Sequence, residues 1–377
     1  MRRGSIAAIF FGLCILVSLR GGVEVEHQTF IVSMGVDEAA DGGVTVTLVL
    51  PSANAGGKTE EKGGGAYHIV SATASGFADA LLVLRAIVPR DLNFSQLLQV
   101  VVAEPLARGE GFAGLLDSLL ATPRLNQSAV LAVSLGPAEA FLKTQLPFLG
   151  VRLSAGIQTS LAIYSELGNV PTTMLGDARR GMVNAWQTPL LPLVAVNETD
   201  GASPVPAGDP LDSVAGELPQ RGGAPAEYLG AAVVAGGRMR GVLSGSEMEL
   251  ISFVMGKMEE SPFSIDGHYC RLRQHGKPSL HAALENGVCT LSLSALADAY
   301  PTGGQPVDAQ AAQQKLAAAV RAVLEKLCAL GADPVGFEGR AVRGAASLAE
   351  WNENNWEAAY RAANLEVNIS VIAADAL

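Results

Sequence analysis

A multidomain α+β fold follows from three observations. Across residues 28–145, runs of alternating β-branched residues take turns with helical apolar stripes; residues 309–330 carry one long, clean stripe; and a Pro-, Gly-, Ser- and Asp-rich stretch, 197–226, separates the halves. Strands interleaved with helices imply a mixed sheet with helices packed on it, and one long helix beside alternating strands implies a C-terminal domain of antiparallel strands laid against it. The boundaries that follow are a leader over 1–22, an N-terminal α/β region over 23–196 with room for two subdomains, a flexible linker over 197–226, and a C-terminal α+β domain over 227–377.

The leader begins with Arg2 and Arg3, runs apolar to Leu19 and stops at Arg20. A basic start and an apolar core make an export signal, but no small-residue pair stands where cleavage would fall. Left uncut, the run is slightly short of the ~17–25 residues of a spanning helix, and the two arginines favour a cytoplasmic N-terminus. It therefore reads as an export signal or an uncleaved membrane anchor that places the body outside. Leu16-Val17-Ser18 resembles the approach to a lipidated cysteine, yet Leu19 occupies the acceptor position. Cys14, the one cysteine nearby, follows the bulky Leu13 and lies inside the run, which does not fit a lipidation site.

Next comes a hairpin, 28–36 and 43–50, turning at Asp41-Gly42-Gly43. A strand at 67–73 leads to a helix from about Ser75, where Phe77, Ala80, Leu81, Leu84 and Val88 share a face and Pro89 ends it. "QLLQVVVAE" is continuously apolar, as in a strand covered on both faces. A helix over 111–123, a strand over 128–136 and a short helix opened by Pro137 follow. Residues 151–187 read as helical. The stretch 197–226 offers almost no large apolar residue with which to offset ordering.

In the second half, 227–244 is a hairpin turning at Gly236-Gly237, and 246–258 a helix with a capping box in Ser246 and Glu249. Residues 270–287 read as a hairpin turning at Gly276-Lys277-Pro278, across which Cys270 and Cys289 could meet. Leu316, Val320, Val323, Leu324 and Leu327 make the stripe of the long helix, with Gly331 at its stop and Pro334 beyond. "NLEVNISVIAA" closes the pattern as a strand.

The chemistry is sparse. A net charge of −11 argues against nucleic acid and against electrostatic attraction to an anionic membrane surface. Gly56-Gly57-Lys58-Thr59 follows a strand but lacks the first glycine of a phosphate loop and the helix after it. His268, Cys270, His275, His281 and Cys289 match no zinc spacing, so no metal site is assigned. No nucleophile elbow, zinc-protease motif or catalytic histidine pair is present, which points away from an enzyme; no catalytic residue and no cofactor is assigned.

Several phrases supply more. "LEKLCALGADPVGFEGRAV" followed by "EWNENNWEAAYRAANLEVNISVIA" resembles the C-terminal signature of the Ger(x)C family, the C subunits of bacterial spore germinant receptors. Gly331, Ala332, Asp333, Gly336, Phe337, Trp351, Trp356, Leu365, Val367 and Val371 stand at the matching places. Upstream, Gly35 and Asp37 fit the family's first strands, and Pro89-Arg90 with the valine run fits its middle section. The resemblance spans nearly the whole chain in order. It implies a non-enzymatic lipoprotein-like subunit on the outer face of the spore inner membrane, assembled with a polytopic A subunit and a transporter-like B subunit. The family's lipidated cysteine would fall at Leu19, so the leader takes over as the expected link to the membrane. The alternative class is a stand-alone extracytoplasmic solute-binding protein, which requires a deep cleft between domains.

Overall fold

The computed structural model describes residues 27–51, 67–145, 153–184, 186–198, 209, 211–220, 222, 225–265, 268–302, 306–345, 347, 351 and 355–374. The leader, with Cys14 and Leu19, and the Gly56–Thr59 tip lie outside these residues.

Eight strands form the first sheet: β2 (Ser33–Glu38), β3 (Val44–Pro51), β4 (Tyr67–Ala74), β6 (Gln99–Ala103), β7 (Val130–Ser134), β8 (Leu190–Val196), β9 (Ala226–Ala235) and β10 (Arg238–Leu243). Their order is β10-β9-β8-β7-β6-β2-β3-β4. The four central strands are parallel, and an antiparallel pair closes each edge. A small parallel pair, β1 (Gln28–Phe30) with β5 (Asp91–Asn93), stands beside it.

The apolar run of β6 is explained by burial on both sides. Val100 and Val102 enter a core shared with α1 (Phe77–Ile87), α3 (Phe112–Leu120) and α6 (Leu175–Val183). Val101 enters a second core with α4 (Ala138–Thr144) and α5 (Leu153–Leu167). A short helix, α2 (Glu104–Arg108), continues directly from β6.

The hairpin β9-β10 departs from the expected grouping, in which it opens the C-terminal domain: it pairs through β8 into the first sheet. Both faces of β9 are covered. Ala232 and Val234 point into the N-terminal core, while Ala231, Val233 and Ala235 point into the C-terminal one. A strand used by two cores has no boundary signal in its own pattern.

The described part of the 197–226 stretch is also packed rather than free. Ala215 is 2% exposed, and Leu211, Val214 and Leu218 lie against the first core. The buried Glu227 carboxylate gathers this segment by accepting from Gly216 N at 2.6 Å and from the side-chain amides of Asn197 at 2.6 Å and Gln220 at 2.7 Å. Composition counts apolar area; it does not register one buried acceptor that organises a small-residue segment.

The second sheet is built on β14 (Val288–Pro301). β12 (His268–Gln274) and β13 (Ser279–Glu285) lie end to end along one edge, both antiparallel to β14, and β15 (Asn364–Ala373) runs parallel along the other. β11 (Glu260–Ile265) pairs with β12. The expected hairpin at Gly276-Lys277-Pro278 is therefore only the step between two collinear strands. The true turn is Asn286-Gly287, with φ of 52° and 78°, because an Asn-Gly pair takes the two left-handed positions that a tight hairpin demands.

Cys270 lies opposite Pro301 and Cys289 opposite Leu284, at opposite ends of β14; both are free, buried thiols, so the envisaged bridge is not formed. Burial pushes Cys289 up to about 12, and Cys328 and Asp333 add to the rise. α7 (Gly245–Val254) is capped two residues earlier than expected. Ser244 Oγ accepts from Glu247 N at 3.2 Å, and Ser244 N donates to Glu247 Oε2 at 2.8 Å. Both serines have a glutamate three residues on; the one at which the chain leaves β10 takes the role.

The long helix α8 (Ala309–Leu330) agrees with its stripe: Leu316, Val320, Val323, Leu324 and Leu327 are buried. Asp308 caps its start, and Gly331 ends it at φ 66°. Beyond lie α9 (Glu338–Ala341), a single 3-10 turn (Val342–Gly344) and α10 (Trp356–Arg361).

Candidate functional site: the joint between the sheets

The family-matching residues occupy two places of distinct character. Gly35 and Asp37 lie on β2 beneath α4. A Cβ on Gly35 would stand 2.9 Å from Leu142 Cδ1, so the missing side chain lets α4 approach the sheet. The Asp37 carboxylate then accepts from Ala138 N at 2.6 Å and Glu139 N at 2.9 Å, meeting two N–H groups that the helix start leaves unpaired. Pro89 and Arg90 stand exposed just after α1.

The second place is the turn from Gly331 to Phe337. Gly331 needs its left-handed φ, and Arg361 closes over it while donating to Ala329 O at 2.7 Å. The Ala332 carbonyl accepts from the buried Tyr360 hydroxyl at 2.9 Å. Asp333, 3% exposed, accepts from Gly336 N at 2.8 Å and from Glu338 N at 2.7 Å. Burial pushes its carboxyl up, while the N–H groups of Glu338, Phe337 and Gly336 and the Arg340 guanidinium pull the other way. Phe337 is fully buried at the start of α9. Trp356 stacks on Tyr360 at 5.5 Å and meets Trp351 at 5.4 Å, which makes an aromatic floor below the turn.

This turn is one of the places where the two halves meet, another being Ser252 Oγ donating to Gly168 O at 2.8 Å. The Asp333 carbonyl accepts from Thr188 N at 3.0 Å, and the Pro334 carbonyl from Gln187 Nε2 at 2.9 Å. Positions Gly336 and Gly339 face the backbone and Cβ of Trp186. Residues 186–189 lead straight into β8, so the C-terminal signature is bonded to the first sheet at its root. Sequence reading finds the signature but not its receiver. Trp186-Gln187-Thr188 carries no motif, and a lone tryptophan at the end of a helical stretch is its only signal.

A cavity of about 380 Å³ lies beside the joint, with Asp333, Glu338, Arg240, Arg361 and Tyr360 among its walls. A cleft of about 600 Å³ lies against the same strand root, where Arg180 is already paired with Asp177. Burial and the neighbouring Asp333 charge push Glu338 up to about 7 from 4.5. The folded chain thus holds a proton that the unfolded chain has released, so stability from this group falls as pH rises between about 4.5 and about 7. Glu338→Gln should remove that slope. Urea midpoints measured at about pH 5 and about pH 8 should show the variant gaining at the higher pH, on the order of 1 kcal/mol.

The described residues bring together no group of three metal-capable side chains. His275 pairs with Asp298 at 3.2 Å, and His281 lies opposite Ser292, well separated along β14. Among the described residues, no helix is long and apolar enough to cross a membrane.

Two cores on the two faces of β9, with the Gly331–Phe337 turn bonded to the root of β8, define an α+β protein whose halves are packed and hydrogen-bonded together. Residues 21–196 match the family described as the spore germination protein N-terminal domain. The putative spore germination protein YfkR of Bacillus subtilis (strain 168) is 23% identical over 384 aligned residues, covering 95% of this chain and 92% of that protein. The crystal structure of the GerBC protein matches with a TM-score of 0.54 at 17% identity, over 90% of this chain and 96% of that one, and shows the same fold. Together these matches support a spore germination protein of the GerC type.

Proposed function

We propose that the chain works as a non-enzymatic C subunit of a nutrient germinant receptor. In this reading it assembles with the membrane A and B subunits, and its N-terminal segment holds it at the outer face of the spore inner membrane. The observation that carries the reading is the family match over 21–196, continued in order by the Gly331–Phe337 signature and the final strand. The outward face of α1 supports it: Leu82, Val83 and Ile87 are exposed beside Pro89 and Arg90, a surface suited to a protein partner. The division of the body that best fits the sheet pairing runs to Leu243 for the first unit and from Ser244 for the second.

The test is made in a sporulating host that carries the gene. Tagged chain from the membrane fraction should bring down polytopic partners, and deletion should slow nutrient-triggered germination. Unchanged germination under every nutrient tried, together with a chain that purifies alone, would refute the assignment.

A further inference from the structure

A third cavity, of about 420 Å³, lies between α7, α8, β11 and the chain around Asp209 and Asp212, and shares no lining residue with the cavity beside the joint. That volume falls within the ~300–1,000 Å³ of small-molecule sites. Its apolar walls include Leu250, Phe253, Met258, Leu272, Leu316 and Val323. Four carboxylates line it as well: Asp209, Asp212, Glu247 and Glu249.

These carboxylates differ in what they already hold. Glu247 is taken by Lys326 Nζ, at 2.8 and 2.6 Å, and by the cap of α7. Asp212 Oδ1 accepts from Ser244 Oγ and Asp209 Oδ1 from Leu211 N, which leaves one oxygen of each without a donor among the described residues. Glu249 is the decisive group. It is 9% exposed, its Oε2 accepts from Ser261 Oγ at 2.7 Å, and its Oε1 has no donor among the described residues although the side chain lines the cavity. Lys315 on the wall sits over the Phe263 ring at 5.9 Å and makes no ion pair with any of the four. A mostly buried carboxylate with one oxygen open to a largely apolar chamber favours a cationic donor there. A metal ion is the poorer occupant, because the described residues form no group of three that could hold one and half the chamber is hydrocarbon.

We propose that this cavity is a binding site for a small organic ammonium ion, its N–H groups on Glu249 and the free oxygens of Asp209 and Asp212 and its apolar tail between α7 and α8. Burial pushes the Glu249 carboxyl up to about 7, with Asp209 adding to the rise, and a bound cation reverses that pressure. The site does not depend on the receptor reading, since it rests on the lining of this cavity alone, to which the first unit contributes Asp209 and Asp212.

Hexylammonium chloride, titrated calorimetrically into the full chain at about pH 8, where the amine is charged and Glu249 mostly ionised, is the direct probe. Hexanol and hexanoate serve as neutral and anionic matches in shape. Saturable one-site binding of the ammonium is expected, with hexanol weaker by about tenfold or more and hexanoate not bound. Glu249→Gln, which keeps the side chain's size and its acceptor for Ser261, should weaken hexylammonium by about tenfold or more while the chain stays folded, with a midpoint at about pH 8 no lower than the wild type's. Ala319→Leu, which intrudes from α8, should weaken hexylammonium and hexanol alike. Hexanol binding as tightly as the ammonium, full affinity in Glu249→Gln, or no saturable binding at millimolar concentrations would overturn the site. None of these results bears on co-purification with membrane partners, so failure here and failure of the receptor assignment are distinguishable.

Discussion

Phe337→Ala is expected to lower the stability of the C-terminal unit by about 3–5 kcal/mol, the cost of emptying a fully buried aromatic position. Domain stabilities are commonly about 5–15 kcal/mol, so the loss removes a large share of the total. The position is unforgiving because Phe337 plugs the C-terminal core at the point where the chain turns from the joint into α9. Relaxation there would have to move Gly336 and the Asp333 carboxylate, and both are fixed by backbone bonds. Phe337→Leu refills most of the space and should cost about 1.5 kcal/mol or less. Urea unfolding followed by tryptophan fluorescence reads both variants. Equal midpoints for the Ala variant and the wild type would show that the turn contributes nothing to the core.

Asp333→Ala is expected to cost about 2–4 kcal/mol and to loosen the joint as well. Removing the carboxylate leaves Gly336 N and Glu338 N without their acceptor inside a buried turn, and each lost partner exacts a desolvation cost. The same turn presents the carbonyl that receives Thr188 N, so a frayed turn releases the root of β8. Asp333→Asn keeps one acceptor and should fall between wild type and Ala. Because the Asp333 charge helps to push Glu338 up, both variants should also bring the Glu338 carboxyl down toward its ordinary range.

The regular parts of the fold were legible in the sequence for a physical reason: their signals are local. The α8 stripe and its Gly331 stop lie within one helix and its flank. The β6 valine run announces a covered strand, and the structure covers it on both faces. The misread elements depend on partners distant in the chain. Whether 270–287 folds on itself or lines up along β14 is decided by β14, and whether β9 belongs to the first or second half is decided by β8. The 211–220 segment looks unstructured until Glu227 is placed beneath it. The same limit holds for the site. Asp333 and Phe337 stand out through the family pattern, whereas Gln187 and Thr188 become meaningful only when the turn is set against them. Glu249 was visible as a helix cap; the structure gives that role to Glu247 and leaves Glu249 facing a cavity.

The joint itself is best tested by hydrogen exchange of the full chain, read at the amides of Thr188, Gly336 and Glu338 in the wild type and in Asp333→Ala. In the wild type these three should exchange as slowly as the C-terminal core strands, and in the variant all three should speed up together while β6 and β7 stay protected. Fast exchange at Thr188 in the wild type, or a Thr188 amide indifferent to the loss of Asp333, would contradict a signature turn that binds the two sheets into one body.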